Sequence, residues 1–163
     1  MSPRSRLAGR LLAFLLLCSG STAALAQFEA AAGVSATKGS EKTAVASVAW
    51  LPRVRDMDRA MLRADVGALY VDGRGDIAGH DLADDVVVAY AGLRYERTGN
   101  GLTLGAGIGA QAGESDALSG APQFVTTLGW RWQAFSLLLR HVSNASLHQP
   151  NDGETMLLGA WRF

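Results

Sequence analysis

The chain has 163 residues, 48% of them hydrophobic, with 15 basic and 15 acidic side chains and a formal net charge of +0. That length suits one domain, and the balanced charge argues against nucleic acid, whose binders usually carry a basic patch. The single cysteine, Cys18, excludes a disulfide framework and a cysteine metal site, and nothing in the composition asks for a cofactor.

The first predicted element does not belong to the fold. Arg4, Arg6 and Arg10 precede the apolar run Leu11 to Leu17, and Ala24-Leu25-Ala26 supplies the small-x-small pattern that a signal peptidase reads. Residues 1–26 are therefore expected to be a cleaved signal peptide and residues 27–163 the mature barrel domain. The apolar run is too short for a membrane anchor, which needs roughly 20 residues. Leu17 is too large to precede a lipoprotein cysteine. Further on, the longest apolar run is Val86 to Leu93, so no later segment reaches helical spanning length. A barrel strand needs only about 9–11 residues with one apolar face.

From Phe28 onward, apolar and polar residues alternate between turn-forming clusters. The pattern predicts eight strands, at 28–36, 42–51, 60–71, 86–97, 101–112, 122–131, 134–144 and 154–163. In the third, Leu62, Ala64, Val66, Ala68 and Tyr70 oppose Arg63, Asp65 and Gly67. The fourth sets Val87, Ala89, Ala91, Leu93 and Tyr95 against Arg94 and Glu96. In the fifth, Leu102, Leu104, Ala106, Ile108 and Ala110 face away from Thr103, Gly105, Gly107, Gly109 and Gln111. Short turns are expected at 52–59, 97–100 and 131–134, and longer loops at 37–41, 72–85, 112–121 and 145–153. The acidic residues of 72–85 read as a solvated loop, with no metal site.

A soluble sandwich also alternates, so three further features decide. The first is the export signal. The second is a polar face on which Arg63, Asp65, Arg94, Glu96, Arg131, Arg140 and Arg162 can pair inside a crowded lumen. The third is the chain end, where Leu157, Gly159, Trp161 and Phe163 share a face and the last residue is aromatic. Such an end resembles the address that outer-membrane barrels present to the barrel-assembly machinery. Trp130, Trp132, Trp161 and Phe163 would form the periplasmic aromatic girdle. The expected fold is all-β: an eight-stranded antiparallel transmembrane β-barrel in the outer membrane of a Gram-negative bacterium, with its short turns in the periplasm. Eight strands leave an interior just filled by side chains, which argues against a pore.

Chemistry concentrates between Leu139 and Glu154. In the seventh strand, Phe135, Leu137 and Leu139 share a face with His141 and Ser143, while Ser136, Arg140 and Asn144 take the other. A histidine and a serine thus end an apolar, lipid-facing row. Residues two apart on a strand project together, so the imidazole can take the serine proton, as nucleophilic acyl transfer requires. Two residues at headgroup level would look the same in sequence.

The run His141-Val142-Ser143-Asn144-Ala145-Ser146-Leu147-His148-Gln149-Pro150-Asn151-Asp152-Gly153 resembles the catalytic segment of the outer-membrane lipid A 3-O-deacylases, the PagL family. The resemblance implies an eight-stranded barrel with Ser143 as nucleophile and His141 as general base. The implied substrate is lipid A of lipopolysaccharide, and the bond cut is the ester of the 3-hydroxyacyl chain at position 3. It also makes Asn144, Asn151 and the amides near Ala145 and Ser146 candidates for loop positioning or oxyanion stabilisation. Ser146 stands where a small residue, often Gly, is expected. The family places its acid one residue beyond the Asn-Asp-Gly turn, whereas here Glu154 follows Gly153 directly. Strand parity sends Glu154 to the lumen, where Arg140 is its natural partner, and Thr155 to the lipid face. Three readings of the acid follow: a bulge at Gly153 turns Glu154 outward, Asp152 replaces it, or His141 and Ser143 work as a dyad. The rival reading of the whole chain is a non-catalytic structural or adhesive barrel of the OmpA/OmpX type.

Overall fold

The computed structural model describes residues 27–37, 42–77 and 79–163. The expected signal segment, 1–26, lies outside the described residues. Eleven strands are present among them: β1 (Phe28–Ala36), β2 (Lys42–Trp50), β3 (Arg53–Met57), β4 (Ala60–Val71), β5 (Gly75–Ile77), β6 (His80–Leu82), β7 (Val86–Arg97), β8 (Gly101–Ala112), β9 (Gln123–Trp132), β10 (Phe135–Ser143) and β11 (Glu154–Arg162). Eight of these close on themselves in the order β1-β2-β4-β7-β8-β9-β10-β11, with every neighbour antiparallel and β11 returning to β1. Closure removes both sheet edges, so the structure is a barrel and the sandwich is rejected.

The eight expected strands fall where the alternation placed them, with ends adjusted by about one residue. Two regions read as turn or loop carry further pairing. β3 lies inside the expected turn at 52–59 and continues the β4 ladder past a bulge between Arg53 and Arg55. All five of its residues are exposed, so it has no buried face to reveal it in sequence. β5 and β6 form a small hairpin inside the expected loop at 72–85.

The period of two sorts the side chains as a membrane-spanning barrel requires. Leu93, Leu104, Ile108, Leu128, Leu139 and Leu157 all stand exposed on the outer wall. At the short-turn end, the ladders align Phe28 with Trp50, Phe135 with both Trp132 and Trp161, and Leu137 with Trp130. These rings form an aromatic girdle, and Trp132 stacks on Phe135 with centroids 6.1 Å apart.

Inside that end the lumen is filled by paired charge. Arg94, fully buried, reaches Glu29 at 2.6 Å and Asp65 at 2.7 Å. Arg162 binds Glu96 at 2.5 Å and Glu29 at 3.0 Å, and Arg63 reaches Glu96 at 2.9 Å. An isolated charge here would cost several kcal/mol, so the residues occur as an interlocked set. Glu29 belongs to this set although the sequence pattern did not single it out. Arg140 departs from expectation: among the described residues it meets no carboxylate, but it donates to Thr127 Oγ1 at 3.1 Å and lies over the Tyr90 ring at 5.1 Å. At the loop end, the segment between β8 and β9 folds inward, burying Ala117 and Leu118 with Leu82 as an apolar plug.

Candidate active site

β10 runs from the girdle toward the loops, so its last residues stand at the loop end of the wall. Burial alternates along it: Phe135, Leu137, Leu139 and His141 are exposed, while Ser136, Leu138, Arg140 and Val142 are buried. Ser143 follows on the outer face, half-buried. The structure therefore brings His141 and Ser143 to the same side of the wall, as parity predicts. Phe124 is the ladder partner of Ser143, and Thr126 that of His141.

Gly153 explains how the two side chains converge. Its φ of +71° is a conformation that favours glycine, and its missing side chain lets its neighbours approach closely. A Cβ placed there would lie 2.8 Å from His141 Cε1, 3.2 Å from His141 Nε2 and 3.3 Å from Ser143 Cβ. Imidazole and serine thus both pack against Gly153, where a side chain would not fit. Among the described residues no hydrogen bond engages Ser143 Oγ; such pairs are often loose without substrate and tighten when it binds. On the other side of the ring, His141 Nδ1 lies 3.0 Å from Thr155 Oγ1, the residue directly opposite it on β11.

Glu154 is not beside His141. The β10–β11 register runs without a shift through His141–Thr155 and Val142–Glu154, so no bulge rotates the carboxylate outward. Glu154 is buried in the lumen, where it binds Ser35 Oγ and Arg74. The expected pairing with Arg140 does not form either. Arg74 escaped the sequence reading because it comes from a loop 80 residues away and folds into the barrel mouth. Asp152 is likewise engaged elsewhere, with its Oδ2 2.9 Å from His80 Nδ1. Among the described residues no group of His, Cys, Asp and Glu is arranged to hold a metal ion.

Asn144 and Asn151 organise the loop after β10. Asn144 is fully buried, and its Nδ2 donates to the carbonyls of Ser119 at 2.5 Å and His148 at 3.1 Å. Its backbone N–H donates to Asn151 Oδ1 at 3.3 Å. These bonds leave the Asn144 Nδ2 donor committed to the loop. The loop is tied down further by Asp152 N–H to Asp116 O at 3.1 Å and Gly153 N–H to Ala117 O at 2.9 Å. Thr37 Oγ1 donates to Gly153 O at 2.8 Å, fixing the turn from β1 as well. Ala145 and Ser146 both adopt left-handed conformations, with φ of 53° and 65°. That explains why a glycine would suit position 146. Neither their amides nor Ser143 Oγ has a partner among the described residues.

Three comparisons bear on this arrangement. The family model for lipid A 3-O-deacylase (PagL) matches residues 46–163. No curated protein sequence gives a match. A solved structure described as the crystal structure of the outer membrane enzyme PagL superposes with a TM-score of 0.57 at 22% identity, over 83% of this chain and 99% of that one. The likeness of structure supports the fold, and the family match includes β10, β11 and the loop between them. An eight-stranded transmembrane barrel whose sequence fits that family over most of its length is placed by it: the chain belongs to the lipid A 3-O-deacylase (PagL) family of ester hydrolases.

Proposed function

We propose that this protein is an outer-membrane esterase of Gram-negative bacteria that removes the ester-linked 3-hydroxyacyl chain at position 3 of lipid A. Ser143 is the nucleophile and His141 the general base. The observation that carries this reading is the convergence of both side chains on Gly153, on the lipid-facing wall. The substrate's acyl chains lie in the outer leaflet, so a nucleophile on the wall meets the ester without extracting the lipid.

His141 Nε2 takes the proton of Ser143 as Oγ attacks the ester carbonyl. The carbonyl oxygen becomes an oxyanion, for which the unengaged amides of Ala145 and Ser146 are suitable donors. Collapse breaks the bond to the sugar oxygen, which leaves with the proton held by His141. Water then attacks the acyl-serine with His141 again as base, releasing the hydroxy acid and restoring Ser143. Asn144 and Asn151 serve this step by holding the loop. Biogenesis as a barrel implies a signal peptide at 1–26 and the barrel-assembly machinery as a transient partner.

The test is to incubate the refolded barrel with lipopolysaccharide and record lipid A by mass spectrometry. Loss of one hydroxyacyl chain from position 3, abolished by Ser143→Ala, supports the proposal. An intact lipid A leaves a structural barrel of the OmpA/OmpX type as the better reading, and activity that survives Ser143→Ala overturns Ser143 as the nucleophile.

A further inference from the structure

We infer that Thr155 is the positioning residue for His141: its hydroxyl accepts the imidazole Nδ1–H across the β10–β11 ladder and so keeps the Nε2 lone pair facing Ser143. This rests on the reading of Ser143 and His141 as nucleophile and base. The two residues are direct ladder partners on the outer wall, and Nδ1 and Oγ1 lie 3.0 Å apart. Among the described residues no carboxylate competes for the position. Glu154, one residue earlier, points through the wall to Ser35 and Arg74, and Asp152 is held by His80.

Physical chemistry assigns the hydroxyl two tasks. An imidazole among acyl chains has no water to satisfy its second nitrogen, so a fixed oxygen there selects one tautomer and one ring orientation. Threonine suits this because its branched Cβ restricts rotation about χ1, which keeps Oγ1 in place. A hydroxyl, unlike a carboxylate, does not offset the positive charge the ring acquires during attack. The site is therefore oriented as a triad is but without its third charge. In enzymes where an aspartate orients the histidine, losing the correct tautomer accounts for about 10⁴ in turnover. Thr155 supplies the orienting part of that role.

The experiment measures kcat and KM on lipid A in mixed micelles for the wild type, Thr155→Val, Thr155→Ser and Ser143→Ala, with heat-modifiable gel mobility checking that each barrel has folded. Valine keeps the shape and deletes the hydroxyl. It is expected to lower kcat by about 30-fold while KM stays within about twofold. Serine, which restores the hydroxyl, is expected to return kcat to within about threefold of wild type. Wild-type kcat in the valine variant overturns the inference, as does a serine variant no better than valine or a loss that appears only in KM. If Ser143→Ala is inactive and Thr155→Val is not impaired, only the role of Thr155 fails. If Ser143→Ala stays active, the underlying site fails with it.

Discussion

The two ends of the barrel handle polar groups in opposite ways. At the short-turn end, Glu29, Asp65 and Glu96 are buried in the lumen, and each meets at least one guanidinium from Arg63, Arg94 or Arg162. At the loop end, His141, Ser143 and Thr155 stand on the outer wall, where the imidazole has one partner at Nδ1 and its other nitrogen lies against Gly153, beside the serine. A network of paired charges holds strands in register but leaves no carboxylate free for chemistry. A polar pair with one unfilled valence in an apolar surface is poorly placed for stability and well placed to act on an ester. The contrast predicts that stability and turnover can be damaged separately.

The largest separation is expected for Ser143→Ala. Turnover should fall by about 10⁴ or more, because the nucleophile is gone, while unfolding in urea is unchanged. Arg94→Met should do the reverse. It leaves Asp65 buried without a guanidinium and Glu29 with Arg162 alone, costing about 3–5 kcal/mol in the same unfolding titration. Its folded fraction should retain wild-type kcat, and a large kcat loss there would merge the two regions. Gly153→Ala probes the boundary between them: the φ of +71° strains any side chain, and the new methyl meets His141. A kcat lower by about 30-fold with a stability cost of about 1–2 kcal/mol is expected. Glu154→Gln should give the smallest effect on turnover, within about threefold of wild type. Loss of the ion pair with Arg74 should show instead as about 2 kcal/mol of stability. A kcat loss approaching that of Ser143→Ala would instead return Glu154 to the chemistry.

Parity explains what the sequence made legible. A strand exposes alternate residues to two solvents, so lipid-facing and lumenal sets separate by counting, and His141, Ser143 and Thr155 could be put outside and Glu154 inside. Counting does not say which lumenal groups meet across the barrel. Glu29 pairs with Arg94 and Arg162 from strands distant in sequence, and Glu154 takes Arg74 from a loop folded into the mouth. Those contacts depend on closure and on the way Arg74, just before β5, reaches into the barrel mouth. Nor did β3 announce itself, since a fully exposed ladder leaves no alternation to read. Thr155 was visible on the correct face, yet a threonine on a wall carries no catalytic signature. Only the ladder register, which sets it directly opposite His141, gives it a role.

The central claim is that the serine on the outer wall is a nucleophile activated by its neighbour. The most direct measurement treats the folded barrel in detergent with an acyl-tailed fluorophosphonate and maps the modified peptide by mass spectrometry. The account predicts a single adduct on Ser143 that His141→Ala suppresses. An adduct confined to another serine, such as Ser119 or Ser146, or labelling of Ser143 that is indifferent to His141, would contradict it.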